Sequence, residues 1–245
     1  MEAIYGINPV KEALRREDNG IEKIIVAAGR NMFGLQEIIA EAEKKNIPVE
    51  FHPKQYLNEL AGFSRHQGVV GLCRPFIYSE LDVLIKNRQK SFQHDFIIVL
   101  DSVMDPQNLG AIIRTAHCLG ANGIVIPMDR AAPVTAAVIK ASAGSAQLIP
   151  LARVVNLAQT LDFFKEEGFW VYGAEARTGK YLEELDFKCN VVLVMGGEAR
   201  GIRPLVRKKC DYLLSIPIAG NFDSLNVAVA AGIIQYEIFR HRHKK

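Results

Sequence analysis

Apolar and polar positions along the first 76 residues alternate between helical and strand-like spacing. NPVKEALRR predicts a helix with Asn8 as its N-cap and Pro9 at the first helical position. IEKIIVAAG predicts a strand ending at Gly29. MFGLQEIIAEAEKKN is apolar at helical intervals, and Pro48 bars its continuation. VEFH predicts a short strand, PKQYLNELAG a helix closed by Gly62, and GVVGLCRPF a final strand. Residues 1–76 therefore predict a small α/β domain.

Residues 77–94, IYSELDVLIKNRQKSFQH, hold one short helical stretch and then polar residues, and predict a linker. From residue 95 to 245 a second α/β pattern follows. Its strands FIIVLD, GIVIP, WVYGA and VVLVMGG are almost continuously apolar. Runs of that kind predict parallel strands covered by helices on both faces.

Composition adds limits. Hydrophobic residues make up 49% of the 245 and charged residues 23%, which excludes disordered, collagen-like and coiled-coil chains. No apolar run reaches about 18 residues, and the opening MEAIYGINPVKEAL lacks a basic segment followed by an apolar one. A soluble cytoplasmic protein without membrane partner is expected. The four cysteines form no CxxC and no zinc-finger spacing, so neither a metal site nor a disulfide framework is expected. The tail FRHRHKK more than accounts for the net charge of +3, and its Arg240, Arg242, Lys244 and Lys245 serve equally well as a phosphate-binding arm or a solubilising end.

Familiar catalytic motifs are missing. There is no GxGxxG after a strand, no GxxxxGK[ST], no GxSxG and no HExxH. Three other segments carry the information. In DSVMDPQNLGAIIRTAHCLGANGIVI, residues 101–126, Asp105 is placed to cap a helix that Pro106 begins. Leu109, Ile112, Ile113, Ala116 and Leu119 form its core stripe, with Gln107, Arg114 and Cys118 opposite and Asn108 in the first turn. In VVLVMGGEARGIRPL, residues 191–205, a strand runs into Gly196-Gly197-Glu198, where glycines let a ligand approach the backbone. In LSIPIAGNFDSLNVAVAAGIIQYEIF, residues 214–239, a polar loop leads into a helix from about Leu225. That helix is apolar nearly all round and is expected to be buried. Its start, with Asp223, Ser224 and Asn226, suits either an anion or simple capping.

In order and spacing these segments resemble the three motifs of the SpoU/TrmH branch of the SPOUT RNA methyltransferases, through NLGAIIRTA, VMGGEARGI and SLNVAVAAGI. GINPVKEAL and SRHQGVVG resemble the small ribosomal-protein-like (L30e-like) substrate-binding domain that precedes the catalytic domain in rRNA guanosine 2′-O-methyltransferases. Ala228 stands where the family often has Ser, and Ile218 where Met is common.

The resemblance implies a parallel-sheet SPOUT domain with a C-terminal trefoil knot, a homodimer, and S-adenosylmethionine held by Gly196, Gly197, Ile216, Pro217, Ile218 and Leu225. It implies methyl transfer to a ribose 2′-hydroxyl of a guanosine in 23S rRNA. Arg114, Asn108, Glu198, Ser224 and Asn226 would form the catalytic set. A guanidinium does not deprotonate in proteins, so gripping the adjacent phosphate suits Arg114 better than acting as a base. Arg65, His66 and Gln67 are expected to meet RNA from a polar loop. Three alternatives stand beside this reading. They are a tRNA 2′-O-methyltransferase, an enzyme of the thiostrepton-resistance type, and a non-catalytic RNA-binding ribosome-assembly protein.

Overall fold

The computed structural model describes residues 2–15, 20–29, 34–62, 66–87, 92–176, 180–198, 200–220 and 224–243. Arg65, Asp223, Lys244 and Lys245 lie outside the described residues, as do residues 88–91 of the expected linker. The chain divides into two units, Met1–Ile77 and Tyr78–Lys245.

In the first unit the elements are β1 (Glu2–Tyr5), α1 (Ile7–Leu14), β2 (Ile21–Ala27), α2 (Gln36–Lys44), β3 (Val49–His52), α3 (Lys54–Ala61) and β4 (Val69–Cys73). The sheet order is β1-β4-β2-β3. β4 runs antiparallel to β1 and β2, and β3 parallel to β2. Val10, Leu14, Ile24, Val26, Ile38 and Val69 form one apolar layer, and Ile25, Leu57 and Val70 another. Gly62, at φ 72°, closes α3 as its spacing predicts.

Two features differ from the sequence expectation. β1 is a four-residue strand, too short to show a period. α1 begins at Ile7 rather than at Pro9, because the Ile7 N–H finds a distant acceptor, Oε1 of Gln67 at 2.9 Å. Asn8 is therefore inside the first turn and is not the cap. Pro9 is still tolerated there, since the first four N–H groups of a helix have no internal partner.

The second unit contains α4 (Leu81–Lys86), β5 (Phe96–Asp101), α5 (Pro106–Cys118), β6 (Gly123–Pro127), α6 (Ala136–Ala141), β7 (Leu151–Val154), α7 (Leu157–Glu166), β8 (Trp170–Ala174), β9 (Lys180–Tyr181), β10 (Val191–Gly196), α8 (Pro204–Arg207), β11 (Tyr212–Ser215) and α9 (Val227–His243). Its seven-stranded sheet has the order β7-β6-β5-β10-β8-β11-β9. Every pairing is parallel, as the unbroken apolar runs predict. Ile97, Val99, Val192 and Val194 pack with Leu84 of α4, Leu161 and Phe164 of α7 and Val206 of α8. Of the remaining helices, α5 packs against α6, α9 and β6, and α9 packs onto β10.

Residues 77–94 are more than a connector. Leu84 is fully buried. Asn87 and Asn122 exchange side-chain to main-chain hydrogen bonds at 2.8 and 2.9 Å. Leu81 and Ile85 pack against the same core, so the short helix anchors this stretch to the second unit.

α9 also departs from expectation. Val227, Ala231, Ile234 and Ile238 are buried, whereas Val229, Ile233 and Tyr236 are 53%, 41% and 58% exposed. The helix is apolar on both sides but covered on one. At its end, Arg242 turns inward: its guanidinium donates to the carbonyls of His94 and Gly120 and stacks on Phe92 with 4.1 Å to the ring centroid. Burial pulls its pKa down to about 10. Arg240 is paired with Glu237. Half of the basic tail is thus engaged within the fold.

Candidate functional site

The strands β8, β10 and β11 end together, and a cavity of about 330 Å3 opens at their carboxyl ends. This is where open parallel sheets bind ligands, and the volume falls within the usual range of about 300–1,000 Å3 for small-molecule sites. Gly196, Gly197, Ile216, Ile218 and Leu225 line it, together with Glu198 and Ser224. Pro217 lies between two lining residues and does not itself line the cavity. The glycines are required by close packing. A Cβ on Gly196 would lie 2.1 Å from the Gly201 carbonyl carbon, and one on Gly197 2.1 Å from the Ser102 carbonyl oxygen.

A polar chain gathers three of the expected catalytic residues beside this cavity. Asn226 caps α9, its Oδ1 accepting from the N–H groups of Ala228 at 2.9 Å and Val229 at 3.2 Å. That fixes which end of its amide is oxygen, so its Nδ2 is free to donate to Asn108 Oδ1, at 3.1 Å. Asn108 in turn donates from Nδ2 to Glu198 Oε1. The result is one directional chain, Asn226 to Asn108 to Glu198, which leaves the carboxylate held at one oxygen. α5 presents Asn108 there because Asp105 caps the helix through the Gln107 N–H, with Pro106 at its first position, as predicted.

Arg114 stands on the exposed face of α5, opposite the buried Leu109, Ile112, Ile113 and Ala116. Among the described residues nothing engages its guanidinium, so it is available to an external anion.

The loop before β4 behaves differently from expectation. His66 is fully buried; its Nε2 lies 2.9 Å from Asn58 Oδ1, and its Nδ1 accepts from the Gly68 N–H at 3.1 Å. Gln67 uses its side-chain oxygen to cap α1. His66 is turned inward, whereas Gln67 stays exposed while its side-chain oxygen holds the start of α1. The polar sequence of this loop does not distinguish residues turned inward from those displayed.

Of the other lining residues, only the three at the end of β8 lie outside the three segments singled out in the sequence. Ala174, Glu175 and Ala176 follow β8, and Met195, Arg200, Leu214, Ser215, Val227, Ala230 and Ile234 complete the wall. The signal for Glu175 was available: it directly follows the apolar strand WVYGA, at the carboxyl end where a ligand is expected. Arg207 donates from Nε to both Glu175 oxygens, at 3.0 and 2.9 Å. Nearby, Cys210 is packed against Gly173 and burial raises its thiol pKa to about 12. No cluster of metal-binding side chains occurs among the described residues, and no helix among them is long and apolar enough to cross a membrane.

Comparison with known proteins supplies the remaining findings. Residues 95–236 match the model of the SpoU rRNA Methylase family, and residues 3–79 match that for RNA 2′-O ribose methyltransferase substrate binding. The chain is 40% identical over 240 residues to the Bacillus subtilis protein YacO, whose name places it in the TrmH family of tRNA/rRNA methyltransferases; 98% of this chain and 96% of that one are covered. The crystal structure of the SpoU methyltransferase AviRb from Streptomyces viridochromogenes matches with a TM-score of 0.65 at 25% identity, covering 98% and 89% of the two chains. That of an AdoMet-bound rRNA methyltransferase from Sinorhizobium meliloti gives 0.64 at 27% identity, covering 99% and 88%.

Proposed function

The chain belongs to the SpoU rRNA methylase family, and we propose on that premise that it methylates the ribose 2′-hydroxyl of a guanosine in 23S rRNA. The observation that carries the chemistry is the Asn226–Asn108–Glu198 chain beside a cavity at the strand ends. S-adenosylmethionine, the cofactor of this family, supplies an activated methyl group on a sulfonium.

The cavity suits that cofactor. Ile216, Ile218 and Leu225 offer apolar walls for the adenine, and Glu198, Arg200 and Ser224 offer polar groups for the charged amino-acid end. Pro217 shapes the loop between Ile216 and Ile218 in this reading.

A ribose hydroxyl is a weak nucleophile that must be oriented and must lose its proton. Arg114 grips the neighbouring phosphate with its planar fork. Glu198 carries the one carboxylate of the set and in this reading takes the proton, since amides, a serine hydroxyl and a guanidinium lack a basic lone pair for it. Asn108 holds Glu198 in place by donating to one oxygen, so the other stays open to the hydroxyl. Ser224 orients the substrate from the cavity rim.

We assign residues 1–76 to substrate reading, 77–94 to the connection and 95–245 to catalysis in a knotted SPOUT domain. In this scheme Arg65 and the exposed Gln67 meet RNA from the first unit, and the buried His66 stays behind them on Asn58 and Gly68. The open apolar stripe Val229, Ile233 and Tyr236 supports a homodimer that buries α9. Arg114, with no ion pair among the described residues, and the intact polar chain favour an active enzyme over a non-catalytic ribosome-assembly protein. The specific test presents unmethylated 23S rRNA and bulk tRNA to the protein in competition, with labelled cofactor. Label in the rRNA alone is expected; label in the tRNA alone would replace the substrate assignment by the tRNA alternative.

A further inference from the structure

Asp101 is fully buried at the last position of β5, in register with Gly196 at the end of β10. Its carboxylate accepts from Arg203, at the far end of the loop that follows β10, and from the adjacent Ser102. The Arg203 main-chain N–H donates to Oδ2 at 2.8 Å, and Arg203 Nε donates to Oδ1 at 2.6 Å. The Ser102 hydroxyl donates to Oδ1 at 3.2 Å. Both ends of the loop 197–203 are therefore fastened at Asp101, one through the strand ladder and one through the ion pair.

That loop carries Glu198 and contributes Gly197, Arg200 and Gly201 to the cavity wall. Inside it the Gly201 N–H donates to the Gly197 carbonyl at 2.9 Å. Below it Ser102 adopts φ 69°, a left-handed conformation unfavourable for serine, and places its carbonyl against Gly197 where no side chain fits. Strained backbone persists where surrounding contacts over-determine it, and such positions gather at functional sites. Here Asp101 supplies one of those contacts.

Stability alone does not account for the pair. Burying a carboxylate beside a cation is often no more stabilising than apolar packing of the same volume. What two donors from one residue on one carboxylate do supply is a fixed position and a fixed rotation.

We propose that Asp101 is a positioning residue: through Arg203 it holds the loop 197–203 so that Glu198 meets Asn108 and the cavity keeps its glycine wall. The proposal rests on the reading of this cavity as the S-adenosylmethionine site.

Asp101→Asn is the principal variant, because it keeps volume, removes the buried charge and leaves a guanidinium that already reaches solvent. Arg203→Ala and Arg203→Lys accompany it; lysine places its ammonium one bond beyond the arginine Nε position and still reaches the carboxylate. S-adenosylmethionine affinity by calorimetry, kcat and KM for RNA, and thermal melting are measured on all four full-length proteins. For D101N and R203A the cofactor Kd rises about tenfold and kcat falls about 100-fold, the scale expected of small misplacements in a site. The KM for RNA stays unchanged, because the loop does not include Arg114, and R203K recovers most of kcat. Values for D101N and R203A near those of the wild type would overturn the proposal. So would losses that merely follow the melting temperature, with no recovery in R203K. A wild-type protein that does not bind S-adenosylmethionine would overturn the cofactor reading itself, and the proposal with it.

Discussion

The side-chain amide of Asn226 donates to Oδ1 of Asn108 at 3.1 Å, joining residues 118 positions apart. Two constraints meet in Asn226. Its oxygen caps α9 and its nitrogen orients Asn108, which then holds Glu198.

These two duties are separable. An aspartate caps a helix as well as asparagine does, but it cannot donate to Asn108. Asn226→Asp is expected to melt close to the wild type and to lose most methyl transfer. Asn226→Ala loses the transfer and also about 1 kcal/mol of stability, the usual value of an N-cap. Melting curves beside transfer assays check both; an active N226D would remove the chain from the mechanism.

Arg114 makes a sharper case because its guanidinium has no partner among the described residues. Arg114→Ala should change stability by less than about 0.5 kcal/mol, as for surface positions without partners. Cofactor binding should stay intact, since Arg114 lies outside the cavity wall. Methyl transfer should be abolished, and Arg114→Lys should fail as well, because a point charge does not reproduce a two-pronged phosphate contact. Calorimetry and transfer assays on the two variants decide it.

The cysteines predict a reactivity order and a pH effect. Cys118 is exposed, Cys73 is buried, and the Cys210 thiol is raised to about 12 by burial. A thiol reagent at neutral pH should label Cys118 first and Cys210 only on unfolding, as peptide mass spectrometry would read. Because the folded thiol holds its proton more tightly than the unfolded one, its stability contribution is complete below the ordinary thiol range and is lost as pH rises toward about 12. Cys210→Ser should flatten that alkaline decline in melting temperature.

The stripe on α9 predicts an oligomer. Light scattering should report twice the chain mass of 27.2 kDa. Val229→Asp, placing a charge within the exposed apolar stripe, should give the monomer with an unchanged far-ultraviolet spectrum. A wild-type monomer at micromolar concentration would contradict the proposed interface.

Much of this architecture is legible in the sequence, and for identifiable reasons. β5, β6 and β8 coincide with FIIVLD, GIVIP and WVYGA, because strands buried on both faces must be apolar at every position. Asp105 and Pro106 mark the start of α5 through local chemistry alone. What stays hidden depends on distant partners. The start of α1 is set by Gln67, the inward turn of His66 by Asn58 and Gly68, and the loop at Glu198 by Asp101. α9 is misread for a related reason: apolar composition shows that a face avoids water, but not whether this chain covers it.

The central claim is methyl transfer to a guanosine ribose, and the chemistry of the product tests it most directly. Full-length protein is incubated with methyl-labelled S-adenosylmethionine and unmethylated 23S rRNA, and the RNA is then hydrolysed in alkali. A 2′-O-methyl blocks cleavage at its own phosphate, so the account predicts that label accumulates in one alkali-resistant dinucleotide beginning with guanosine. Label recovered on a base, or no label in RNA despite cofactor binding, would contradict it.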